Sequence, residues 1–166
     1  LGDVYKRQTK AYPELLLDSQ SASWGKQFSV PISPWKESSY TFVENVLSEI
    51  IELFPSHYIH IGADEVEKDS WSKSAAAQAF MKEKQIPNLH DLQGYFVKRV
   101  NNFIRSKNKQ SIGWDEILDG SSDTSMMVMY WRGWVKNAPM EAVNRGHRVV
   151  MTPTNPLYFD YLPNSS

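Results

Sequence analysis

Tyr58-Ile59-His60-Ile61-Gly62-Ala63-Asp64-Glu65-Val66 is the stretch whose reading decides the fold. A strand alternates its side chains with period two. Tyr58, His60, Gly62 and Asp64 therefore share one face, and Ile59, Ile61 and Ala63 share the other. The apolar set is expected to pack on helices and the polar set to line a barrel interior or cleft. Glu65 follows Asp64 and on an ideal strand points away. Both carboxylates reach one pocket only if the strand ends or kinks there. In α/β barrels the catalytic groups sit at the carboxyl ends of strands, which is where this pair falls.

Helical periodicity brackets this strand. Val43, Val46, Leu47, Ile50 and Phe54 form one stripe of a helix predicted over 40–54, with Thr41 and Glu44 spaced as a capping box and Pro55 as the stop. A second helix is predicted over 72–84. Asn88 is placed to cap a third, striped by Leu89, Leu92, Phe96, Val100 and Phe103. Further strands are expected at 110–114, 126–131 and 148–151, with a short helix over 138–145 that Gly146 ends. Strands alternating with amphipathic helices predict an α/β fold with a parallel sheet. Only 115–125 separates the second and third strands, too short for a full crossover helix, so a loop is expected there.

Composition narrows the class. The chain has 166 residues, 18 Lys plus Arg against 19 Asp plus Glu, and no Cys. That is one domain's worth of ordinary globular sequence. A net charge of -1 argues against nucleic acid as partner. No apolar run approaches the ~18–20 residues of a membrane span. No apolar leader is visible at the start. The absence of Cys removes disulfides, thiolate zinc sites and Cys nucleophiles. Six Trp, eight Tyr and seven Phe are a high aromatic content, and Trp clustered near carboxylates is how proteins grip flat apolar faces of sugars.

The acidic pair supplies a chemistry. Two adjacent carboxylates oppose each other's ionisation, so one tends to keep its proton and can act as an acid beside an anionic stabiliser. An isolated Asp-Glu after a strand is more often a solvated helix start. Here Gly113-Trp114-Asp115-Glu116 closes the second strand, Trp131-Arg132-Gly133 closes the third, and Tyr158-Phe159-Asp160 follows the fourth. Four strand ends rich in aromatic and acidic residues read as the rim of one pocket. Three other readings stand beside an acid–stabiliser pair. Glu116 could be the direct nucleophile of a retaining glycosidase, the rim could bind sugar without catalysis, or His57, His60, Asp64 and Glu65 could hold a metal. His57 and His60 face opposite sides of a strand, which weakens the last.

These motifs together resemble glycoside hydrolase family 20, the β-N-acetylhexosaminidases, whose signature is usually His-x-Gly-Gly-Asp-Glu. Ala11-Tyr12-Pro13-Glu14-Leu15 is similar to the segment after that family's third strand, and Leu92-Gln93-x-Tyr95-Phe96 to its following helix. The later motifs stand in family order, and the resemblance covers residues 9–162. It implies a partial (β/α)8 TIM barrel holding roughly strands four to seven, with 9–166 as catalytic barrel and 1–8 as an unmatched, possibly foreign start. It also implies hydrolysis of terminal non-reducing N-acetyl-β-D-hexosamine residues with retention, the substrate's acetamido oxygen serving as nucleophile. Under it Glu65 is the general acid and then base. Asp64 accepts from the acetamido N–H and stabilises the oxazolinium. Tyr158 donates to the acetamido carbonyl, Trp114 and Trp131 wall the acetamido pocket, Asp160 binds a sugar hydroxyl, and His60 supports the site. No metal or cofactor is implied. The partners are glycans ending in N-acetylglucosamine or N-acetylgalactosamine, and a secreted, periplasmic or lysosomal setting is suggested.

There are departures. Ala63 stands where the family usually has Gly, so a positive φ there would strain it. The family's Pro-Gly-His segment has no match in Val4 to Gln8, and its sugar-gripping Arg and late Trp residues are absent. A complete barrel takes ~250 residues. The chain is therefore expected to be a fragment that, made alone, folds poorly and is inactive. Asn164-Ser165-Ser166 matches a glycosylation sequon.

Overall fold

The computed structural model describes residues 31–120 and 123–159. Residues 1–8, the segment Ala11 to Leu15, Asp160 and the sequon lie outside them.

Helix α1 runs over Glu37–Leu53, strand β1 over Tyr58–His60, α2 over Asp69–Ser72, α3 over Ala75–Lys84, α4 over Leu89–Ser106, and β2 over Gln110–Trp114. A 3-10 turn over Asp115–Asp119 follows, then β3 over Met127–Tyr130, α5 over Ala138–Asn144, β4 over Val149–Met151 and the short turn α6 over Thr154–Leu157. The strands form one sheet in the order β1-β2-β3-β4, every neighbouring pair parallel. Chain order and spatial order coincide, as in consecutive staves of a (β/α)8 barrel.

Local signals account for much of this. Asn88 caps α4 by accepting from the Asp91 N–H, and Ser74 caps α3 by accepting from the Ala77 N–H. That cap starts the helix expected over 72–84 at Ala75, and the short α2 lies before it. Gly146 sits at φ 93° after α5, a left-handed conformation that suits glycine.

Two boundaries differ from the sequence reading. Helix α1 begins at Glu37, so Thr41 lies inside it, its hydroxyl donating back to the Glu37 carbonyl, and no Thr41–Glu44 box forms. A distant residue meets the first turn. Arg99 of α4 grips Glu37 bidentately at 2.9 and 2.6 Å and lies over the Tyr40 ring, 3.7 Å from its centroid. Between β2 and β3 the expected loop is instead a wound turn. Its Ile117 and Leu118 are buried with Val97, Met126, Val128 and Tyr130, so a few residues fill the place of a crossover helix. Gly113 permits that approach, because a Cβ there would come within 2.9 Å of the Ile117 side chain.

Ile59 packs with Leu47, Val100 and Ile104 on the helical side, as the alternation requires. On the other face His60 meets Trp114. A buried polar network ties the connection to α4. Ser111 donates to Asn101 at 2.8 Å, and the Asn101 amide donates to Asp123 and Ser125. Among the described residues no helix is long and apolar enough to cross a membrane.

Candidate active site

Because the sheet is parallel, the segments after all four strands leave from one edge. The β1–β2 ladder runs past the last regular residue of β1. Ile61 N–H donates to the Ile112 carbonyl at 2.9 Å, and Trp114 N–H to the Gly62 carbonyl at 2.8 Å. The chain then turns abruptly. Gly62, Ala63 and Glu65 have φ of 75°, 74° and 48°. This is the kink the acidic pair needs if Glu65 is not to point away from the pocket side. Gln93 of α4, itself buried, steadies the bend by donating to the Ala63 carbonyl at 2.9 Å.

Ala63 is thus left-handed where a glycine would be relaxed. That conformation costs a non-glycine residue roughly 1–2 kcal/mol. Ala63→Gly removes this strain but loosens the unfolded chain by about 0.4–1 kcal/mol. A net gain of a few tenths to about 1 kcal/mol is expected, read as a higher denaturation midpoint of the complete protein. A lower midpoint would show that packing of the Ala63 methyl outweighs the strain.

The aromatic residues line up across the strand ends. His60 and Trp114 meet edge-to-face at 4.8 Å between centroids, Trp114 and Trp131 at 6.4 Å, and Trp131 and Trp134 at 5.1 Å. His60 Nδ1 accepts from the Gly62 N–H at 3.1 Å, which assigns the ring proton to Nε2. Burial lowers the His60 pKa, although Asp64 nearby opposes the shift. A neutral imidazole suits a supporting role. Asp64 is half-buried and Glu65 exposed. Tyr158 is half-buried at the end of α6, its N–H donating to the Thr154 carbonyl at 3.0 Å. The structure therefore brings His60, Trp114 and Trp131 into a contiguous row, with Asp64, Glu65 and Tyr158 on segments leaving the same edge.

Behind the rim lies a layer of charges of which the sequence reading gives a role to Glu116 alone, as the rival nucleophile. Asp115 is fully buried. Its Oδ1 accepts from the Trp131 N–H at 2.9 Å and its Oδ2 from Arg132 Nε at 2.7 Å. Arg132 reaches on to Asp119 at 3.1 and 3.3 Å. Glu116 accepts from the Trp131 indole N–H at 2.9 and 3.1 Å. Burial pushes the Glu116 carboxyl up to about 7, against the pull of the Trp131 and Arg132 donors. Lys68, beyond the acidic pair, has its pKa lowered by burial despite the attraction of Asp119 and Glu116. The available signal was an acidic pair ending β2 beside an Arg ending β3, two strands adjacent in order. Among the described residues no three His, Asp or Glu side chains group as metal ligands.

The chain resembles known proteins in sequence and in fold. The chain is 36% identical over 156 residues to the beta-hexosaminidase of Porphyromonas gingivalis, covering 91% of this chain and 20% of that protein. It superposes on a GH20 exo-beta-N-acetylglucosaminidase from Vibrio harveyi, in complex with N-acetylglucosamine, with a TM-score of 0.76 at 32% identity, over 88% of this chain and 23% of the other. It superposes on a beta-N-acetylhexosaminidase from Bacteroides fragilis with a TM-score of 0.75 at 26% identity, over 93% and 31% of the two chains. The chain thus spans less than a third of the length of each of the three. With residues 5–166 matching the catalytic domain of glycosyl hydrolase family 20, and with the parallel staves and strand-end rim described above, the chain belongs to that family.

Proposed function

We propose that the protein carrying this segment is a β-N-acetylhexosaminidase, hydrolysing terminal non-reducing N-acetyl-β-D-hexosamine residues from glycans ending in N-acetylglucosamine or N-acetylgalactosamine. The observation that carries the proposal is the left-handed turn that lets Asp64 and Glu65 follow β1 together, beside the Trp114–Trp131 row.

In this reading Glu65 protonates the glycosidic oxygen as the acetamido oxygen attacks C1 from the opposite face. The leaving alcohol departs with that proton. Asp64 accepts from the acetamido N–H and stabilises the positive oxazolinium. Tyr158 donates to the acetamido oxygen, Trp114 and Trp131 wall the group, Asp160 binds a sugar hydroxyl, and His60 buttresses Trp114. Glu65 then takes a proton from water as the water attacks C1, and configuration is retained over the two inversions.

The rival with Glu116 as direct nucleophile fits less well. Both oxygens of Glu116 face the Trp131 indole N–H, and its carboxyl is held toward its neutral form by burial. A carboxyl pushed toward its neutral form and committed to an indole N–H is a poor nucleophile. A thiazoline mimic of the oxazolinium distinguishes the two. Competitive inhibition of the complete protein is expected, since transition-state and intermediate mimics bind about 10²-fold or more tighter than substrate. Hydrolysis without such inhibition would favour the direct nucleophile.

A further inference from the structure

We infer that Glu116 is a positioning residue for the sugar-facing wall, acting by fixing the indole plane of Trp131. The inference rests on the proposed hexosaminidase reading, in which Trp131 touches the acetamido group.

Trp131 is tied at three points. Its backbone N–H donates to Asp115, its carbonyl accepts from the Thr154 N–H at 3.0 Å, and its indole N–H donates to Glu116. The first two hold the main chain. Only the third limits rotation of the ring about its side-chain bonds. Consecutive carboxylates of the 3-10 turn thus diverge, Asp115 to the backbone and Glu116 to the side chain of the same residue. Trp114 and Trp134 brace the ring edge-on but supply no acceptor for its N–H. Glu116 is nearly buried, with Arg132 Nε at 3.9 Å from one oxygen, so its own position is fixed in turn. A wall held in place before substrate arrives aligns the attacking acetamido oxygen without an ordering cost. Its loosening is expected to lower kcat more than it raises KM.

The test is a double-mutant cycle in the complete protein on an aryl N-acetyl-β-glucosaminide, with 5-fluorotryptophan label read by fluorine NMR. Glu116→Leu removes the acceptor and is expected to reduce kcat/KM roughly 10- to 100-fold, the range for a donor left without its partner. Glu116→Gln keeps an acceptor and is expected to stay within about threefold of the parent. In a Trp131→Phe background, where no indole N–H remains, Glu116→Leu should have almost no further effect. The Trp131 resonance, assigned by its loss in Trp131→Phe, should shift or broaden in Glu116→Leu and not in Glu116→Gln. If Glu116→Leu does not fold, Glu116→Asp takes its place, withdrawing the acceptor by one methylene. A full loss in the Trp131→Phe background, an equal loss in Glu116→Gln, or an unmoved Trp131 resonance overturns the inference. Absence of turnover in the parent, with the resonance still moved by Glu116→Leu, overturns the hexosaminidase reading and leaves the clamp standing.

Discussion

Glu65→Gln in the complete protein is expected to lose about 10²- to 10⁴-fold in hydrolysis of alkyl or glycan substrates, the usual contribution of a positioned general acid. Such leaving groups must be protonated as the bond breaks, and an amide cannot supply the proton. Aryl glycosides with acidic phenols leave with little help, so their cleavage should suffer much less. Asp64→Asn should behave differently. It removes charge that stabilises the oxazolinium in every case, so both substrate types should slow, by roughly 10²- to 10³-fold. The measurement is kcat/KM of each variant on a graded series of leaving groups. Equal losses of Glu65→Gln across the series would contradict its assignment as the acid. The exposure of Glu65 at the mouth of the turn suits a group that must meet the aglycone oxygen, whereas Asp64 is half-buried beside His60.

The second large effect is on stability. Arg132→Met leaves Asp115 fully buried without its cation. Breaking a buried pair by removing one partner costs about 3–5 kcal/mol, because an uncompensated charge stays in a low-dielectric site. The loss should appear as a lower unfolding midpoint of the complete protein in urea. Adding Asp115→Asn should recover part of it. The neutral side-chain carbonyl can still accept from the Trp131 N–H, while the unpaired charge is gone. A loss below about 1 kcal/mol for Arg132→Met would mean that Asp119 and solvent, not Asp115, dominate the environment of the guanidinium. The two predictions separate roles. Glu65 and Asp64 are expected to change rate with little change in stability, and Arg132 to change stability first.

What could be read from sequence follows from what local chemistry controls. The four strands lie within one or two residues of their expected places, because runs such as Met127-Val128-Met129 are apolar on both faces and are interrupted by turn residues. Helix α4 begins where Asn88 allows it, because a cap is a contact between residues three apart. The position of the acidic pair after an alternating run sets it at a strand end, and one substituted glycine marks Ala63 as the strained residue. None of this needs knowledge of a distant partner.

The rest needed tertiary structure. The start of α1 at Glu37, ahead of the local Thr41–Glu44 pair, shows only in the folded chain, where Arg99, 62 residues on, meets the first turn. The winding of 115–119 depends on the space left by Gly113 against the sheet. Above all, Asp115, Glu116 and Arg132 appear in sequence as charges near two aromatic motifs, with nothing to say which carboxylate meets which donor. That choice is made by the β2–β3 register, which sets Trp114 beside Met129 and brings the ends of both strands level. Only then do one carboxylate meet a backbone N–H and the next an indole N–H. Residue types and their order along the chain determined the strands, the helices and the acidic pair. Pairing across the sheet decided the acceptors of Trp131, because hydrogen bonds are selected by distance and angle within a few tenths of an ångström, and no local pattern encodes that.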